Sequence, residues 1–187
     1  MNVSLSTLAM ALGAAYAAPQ LFALANPKGY ADWMKKFSRN IPVGVFLVLG
    51  GTAWFLYNLS LESIADFAAF KSYMYLGFAA IGLGTCIFVH DFLAVRGLAV
   101  LLLLLAKLMV DTGRPHLGDS HWVLVNQALA YVLVLAGIWL TISPWRLRDW
   151  IGWSTATEQR IRKGGVIRLV FAVFVFVLGA VVFKKLA

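Results

Sequence analysis

Cysteine, histidine and acidic residues are scarce in this chain, and each shortage excludes something. The lone cysteine, Cys86, leaves no intrachain disulfide and no thiolate metal cluster. Among its apolar and small neighbours it is expected to behave as a small hydrophobe. The three histidines, His90, His116 and His121, are expected on two different membrane faces. They make neither a zinc site of usual spacing nor a pair of axial haem ligands. A glycine-rich phosphate loop and a nucleophile elbow are missing, and so is a selectivity-filter motif. Apart from Gly50-Gly51, no apolar segment carries the Gly or Pro break seen in carriers. The sequence names no cofactor. Charged residues make up only 13% of the chain, about half the share of a soluble domain.

What the chain has in excess is apolar length. Hydrophobic residues make up 61% of it, in continuous runs ended by short polar stretches. A hydrocarbon core needs about 20 apolar residues per helix, and continuous rather than alternating runs read as helices, not barrel strands. The expected fold is therefore all-α, one polytopic membrane domain over residues 1–187. Helices are expected at Val3 to Ala25, Ile41 to Leu59, Tyr73 to His90, Gly97 to Val110, His121 to Ile142 and Val166 to Phe183. A polar link, Ser60 to Ser72, carries Glu62, Asp66 and Lys71, and Asp91 to Gly97 holds a tight turn, because Tyr73 to Val110 is too long for one crossing. Asp111 to Ser120 is a loop, and Ser143 to Gly165 a longer basic connection. Six crossings, arranged as three hairpins, result. Met1 to Ala18 resembles a secretory signal, but no Lys or Arg precedes Lys28, so a retained helix is expected.

The net charge of +8 would suggest nucleic acid in a soluble protein. Beside membrane segments it reads as orientation and lipid-headgroup contact, so no nucleic-acid partner is expected. Lys28, Lys35, Lys36, Arg39, Arg96, Arg146, Arg148, Arg160, Arg162 and Lys163 fall on one side of a six-helix topology, and only Lys71, Arg114, Lys184 and Lys185 on the other. The positive-inside rule then puts the first group in the cytoplasm of a bacterial-type inner membrane and both termini outside.

An internal echo links two connections. Asn26-Pro27, four residues, then Asp32-Trp33 in the first matches Ser143-Pro144, four residues, then Asp149-Trp150 in the last. Asn or Ser caps helices and Pro suits the first helical position, so each echo predicts a short helix along the cytoplasmic face. Trp33, Trp145, Trp150 and Trp153 would anchor these in the headgroup layer. The pattern suggests a parallel internal repeat, 1–60 and 121–187. Ala9, Gly13 and Ala17, and likewise Ala80 and Gly84, have the four-residue spacing of close helix packing. The Leu101 to Leu105 run reads as lipid-facing.

Ionisable residues near a bilayer are functional candidates. One cluster is Lys107, Asp111, Arg114, His116, Asp119 and His121, with Asn126 and Gln127 one to two turns deeper; Lys107 and Asp111 lie one helical turn apart. A second is His90, Asp91 and Arg96. Lys107, six residues, then Arg114-Pro115 resembles the first signature of lipid phosphatases of the phosphatidic-acid-phosphatase type, and Gly118 to His121 resembles the second, which supplies a proton-donating His. The third signature of that family carries the nucleophilic His, and no His follows His121, so the resemblance implies no phosphoryl transfer. The expected role is that of a non-enzymatic accessory subunit whose partners are membrane lipids and other membrane subunits, or a second copy. A small carrier or a lipid- or anion-binding protein using the first cluster is the alternative, and an unusual lipid-modifying enzyme the third.

Overall fold

The computed structural model describes residues 3–62 and 70–186, and those residues are helical nearly throughout, with no strand. Eight helices follow one another: α1 Leu5–Ala25, α2 Pro27–Phe37, α3 Ile41–Leu61, α4 Lys71–Phe88, α5 Leu93–Gly113, α6 Val123–Ile142, α7 Trp145–Ser154 and α8 Glu158–Val177. A 3₁₀ turn, Arg114–His116, extends α5, and a π turn, Leu178–Val182, with a 3₁₀ turn, Phe183–Lys185, extends α8. Among the described residues five helices are long and apolar enough to cross a membrane: α1, α3, α5, α6 and α8. Twenty-one residues, as in α1, α3 and α5, rise about 31 Å, the thickness of a hydrocarbon core. The sixth expected crossing, α4, has 18 residues and is not among them.

Side-chain caps set several helix starts. Ser4 Oγ accepts from the Thr7 amide, Asn26 Oδ1 from Gly29, Asn40 Oδ1 from Val43 and Thr157 Oγ1 from Arg160. The echo therefore differs locally. Asn26 caps α2 with Pro27 at its first position, whereas Pro144 itself occupies the N-cap of α7 and Ser143 makes no side-chain cap. The Thr157 cap also starts α8 eight residues before Val166, so Arg160, Arg162 and Lys163 ride on a helix rather than in a loop. The turn between α4 and α5 is shorter than expected. It closes at 89–92 through Phe92 in the left-handed region (φ 54°), which places Arg96 inside α5.

Close packing comes from small residues. α1 and α8 run antiparallel with Gly13 against Ala172 and Phe176, Gly179 against Ala9 and Met10, and Gly165 against Ala23 and Leu24. Ser6 Oγ donates to the Gly179 carbonyl across that seam at 2.9 Å. α3 and α5 run parallel, with Gly44 on Leu93 and Ala94, Gly97 on Leu47 and Val48, and Gly51 on Val100. On the other flank of α5, Gly137 of α6 meets Ala99 and Leu103. Leu8 of α1, Ala106 and Met109 of α5 and Ala130 of α6 form a common core. The central helix is thus α5, and its Leu101 to Leu105 run is protein-facing rather than lipid-facing: Leu104 is buried and its neighbours half-buried. On α4, Ala80 and Gly84 do not pack as expected. Gly82 does, against Thr52 of α3, with Phe78 on Phe55 at 4.7 Å between ring centroids.

Candidate functional site

At the end of the bundle where α3 and α5 finish lies a cavity of about 420 Å³. Its wall is built by register. Because α3 and α5 are parallel and Gly51 sits against Val100, about two turns further on α3 brings Asn58 beside the level of Lys107, and Glu62 follows about one turn later. Trp54, Asn58 and Glu62 line one side, Lys107, Asp111 and Thr112 the other, with Ser4 and Leu5 of α1 and Phe183 and Leu186 beyond α8 behind them. Pro115 and His116 form the rim.

Lys107 is the charge at the centre. Its Nζ donates to Asp111 Oδ2 at 2.6 Å and stands 3.3 Å from Glu62 Oε1. One cation between two carboxylates leaves the site net negative. These side chains are roughly half exposed, so the pairs are worth on the order of 1 kcal/mol or less each. Their more important effect is to offset the charge of a lysine placed near apolar surroundings. His116 Nδ1 lies 3.0 Å from Asp119 Oδ2, which orients the ring at the rim. Arg114 and His121 are exposed and make no side-chain bond to Lys107 or Asp111 among the described residues. The first cluster is therefore split into a Lys107–Asp111 pair in the cavity, a His116–Asp119 pair at its edge, and two free flanking residues. Glu62, read from the sequence as part of a polar link, is the member that reasoning from the sequence left out; Asp66 of the same link lies outside the described residues.

Asn126 and Gln127 serve the helices instead. Asn126 Nδ2 donates to the Met109 carbonyl at 3.0 Å and Gln127 Nε2 to the Val110 carbonyl at 3.4 Å, clamping α6 to the last turns of α5. Gly113 makes the approach possible, since a Cβ there would stand 2.8 Å from Gln127 Nε2.

At the opposite end, the second cluster does not converge. His90 and Asp91 are exposed in the turn, and Arg96 lies half-buried in α5 with its Nε unpartnered among the described residues. The four tryptophans share this end. Trp33 on α2 and Trp145, Trp150 and Trp153 on α7 are each about half exposed or more, and α2 touches α7. Arg148 lies over the Phe92 ring at 5.8 Å, which joins this layer to the start of α5.

Among the described residues no three His, Cys, Asp or Glu side chains group closely enough to hold a metal ion. What the cavity offers chemically is an ion-paired lysine, two carboxylates and a histidine at its mouth. Compared with protein-family models, with curated proteins and with solved structures, the chain matches none of them.

Proposed function

We propose that this chain is a non-enzymatic membrane protein of six crossings that packs laterally against another membrane subunit through α4. The observation that carries the reading is the outer face of α4. Among the described residues, a Cβ at Gly77 or Gly84 would meet nothing beyond its own helix within 4 Å, and Ala80 between them is exposed. On a helical wheel all three lie opposite Gly82, the residue that packs on α3. Small residues at this spacing let another backbone approach closely, and they give little against lipid chains. Tyr73, Leu76 and Ile87 flank the strip and are well exposed.

The parallel course of α3 and α5 supports six crossings. If both cross in the same direction, the chain must return between them, and α4 runs antiparallel along α3 from Lys71, bonded to the Ser60 and Glu62 carbonyls, to Gly82 on Thr52. Six crossings place α2, α7 and their basic residues together, in the cytoplasm of a bacterial-type inner membrane, with both termini outside. The matching helix–short helix–helix order of Leu5–Leu61 and Val123–Val177 supports an internal repeat. Native-state mass spectrometry of the gently solubilised protein tests the main reading. A second polypeptide, or a second copy, is expected on the wild type and lost in Gly84→Leu. A wild type that is always alone sinks it.

The cavity supports a second reading, a small-ligand binder. Its net negative charge opposes an anion, so the ligand class would be a small cation or a neutral polar molecule.

A further inference from the structure

We propose that the groove between α7 and the first turns of α8 binds the phosphate of an anionic phospholipid. The groove holds about 340 Å³ between Trp150 and Trp153 of α7 and three cations of α8, Arg160, Lys163 and Arg168. Those cations recur at helical spacing on one face, and Arg168 lies about 12 Å further along the axis than Arg160. They therefore step from the headgroup level toward the acyl chains.

The groove holds its cations without neutralising them. The Arg160 guanidinium stacks over Trp153 at 5.3 Å and donates from Nη1 to the Trp153 carbonyl at 3.3 Å. The Arg168 guanidinium lies over Trp150 at 5.9 Å, and its Nε donates to the Gly164 carbonyl at 3.0 Å. Gly164 leaves room for this fold-back, since a Cβ there would stand 3.2 Å from Arg168 Nη2. The acidic residues nearest in sequence are engaged elsewhere: Asp149 accepts from Arg148 at 2.9 Å, and Glu158 sits 3.6 Å from Lys28. Among the described residues, none of the three groove cations forms an ion pair.

Three unneutralised cations in one groove call for an anion, and the walls say which kind. Ile167, between Lys163 and Arg168 on the same face, is 71% exposed, and Trp153 is 63% exposed. A free phosphate would satisfy the charges and leave that apolar surface bare. A phospholipid covers both, its phosphate among the guanidinium groups and its chains along α8. Lys107 at the other end offers no such site, because two carboxylates already hold it.

Native-state mass spectrometry of the full chain, released from mixed phosphatidylglycerol and phosphatidylcholine, tests this. Phosphatidylglycerol is expected to be retained in preference. Retention should fall about fivefold for each cation removed in Arg160→Gln, Lys163→Gln and Arg168→Gln. The control Lys35→Gln/Lys36→Gln/Arg39→Gln, which removes as many charges as the three groove substitutions together, at the end of α2 and in the turn after it, should leave retention unchanged. Equal retention of the two lipids, or an equal loss in the control, overturns the proposal. So does displacement of the lipid by millimolar inorganic phosphate, which would make the ligand soluble. Should the groove variants not fold, tryptophan quenching of the wild type decides. Phosphatidylglycerol with brominated chains should quench more than brominated phosphatidylcholine, and the excess should vanish in Trp150→Phe/Trp153→Phe. Equal quenching, or an excess that survives both substitutions, overturns it.

Discussion

α4 and α5 are consecutive apolar helices joined by one tight turn, and they occupy opposite positions in the bundle. α5 packs on α3, α6 and α1 and buries nine residues, from Leu93 to Gly113. α4 packs along α3 and buries only Gly82. Apolar content does not say which of them is buried: α5 draws its bulk from Leu and Val and α4 from Ile, Phe, Leu and Tyr, and both carry Gly and Ala. The difference lies in where their glycines point. Gly97 of α5 receives the α3 backbone, and Gly113 the α6 side chains, whereas Gly77 and Gly84 of α4 face away from every described element. In a lipid solvent apolar character places a helix in the bilayer, and small residues decide what it touches there.

The sharpest test of that contrast is a matched pair of substitutions. A side chain at Gly97 would meet the Val48 amide nitrogen at 2.9 Å, and backbone cannot step aside cheaply. Gly97→Leu should therefore cost above about 3 kcal/mol and abolish the folded peak on gel filtration in detergent. Gly84→Leu should leave the isolated chain within about 0.5 kcal/mol of wild type. Equal damage from both would mean that α4 is as embedded as α5.

A smaller effect separates the single lysines of the two helices. Lys71 is held by backbone carbonyls, Lys107 by carboxylates. Lys107→Met strands two carboxylates and should cost about 1 kcal/mol in thermal unfolding, with the half-exposed setting keeping it small. Asp111→Leu should cost less, because Glu62 remains 3.3 Å from the ammonium. The double variant should be better than Lys107→Met alone, since it strands one fewer charge. A double variant no better than Lys107→Met would remove the pairing account.

The smallest effect sits in the turn between the helices. Phe92 adopts a left-handed conformation that an L side chain adopts only at a cost. Phe92→Gly should be more stable than Phe92→Ala by roughly 0.5–1 kcal/mol, because both remove the ring and only glycine removes the strain. Equal melting of the two would place the strain elsewhere.

How much of this was legible in the sequence depended on the range of the interaction. Lys107 and Asp111 are one turn apart on one helix, so their contact is local. The short helices after Pro27 and Pro144, with their tryptophans, follow from local chemistry too, although only Asn26 caps as expected. Glu62 joins Lys107 through the parallel register of α3 and α5, which no periodicity encodes. Leu101 to Leu105 is apolar on every side, so it carries no information about which side meets protein. The turn at Phe92 lacks the Gly or Asn that ordinarily marks a left-handed residue, and the charges of Arg160 to Lys163 hid a helix start that Thr157 sets.

The pairing of α1 with α8 has a consequence for how the molecule comes to exist. Each is the other's principal partner, yet α1 leaves the ribosome long before α8. At ordinary synthesis rates the interval is on the order of ten seconds, during which the Ser6, Ala9 and Gly13 face of α1 is open to any passing helix. The core of α3, α5 and α6 is complete before then. α1 is thus an early arrival that must be kept waiting, and the last span is the latch that ends its exposure.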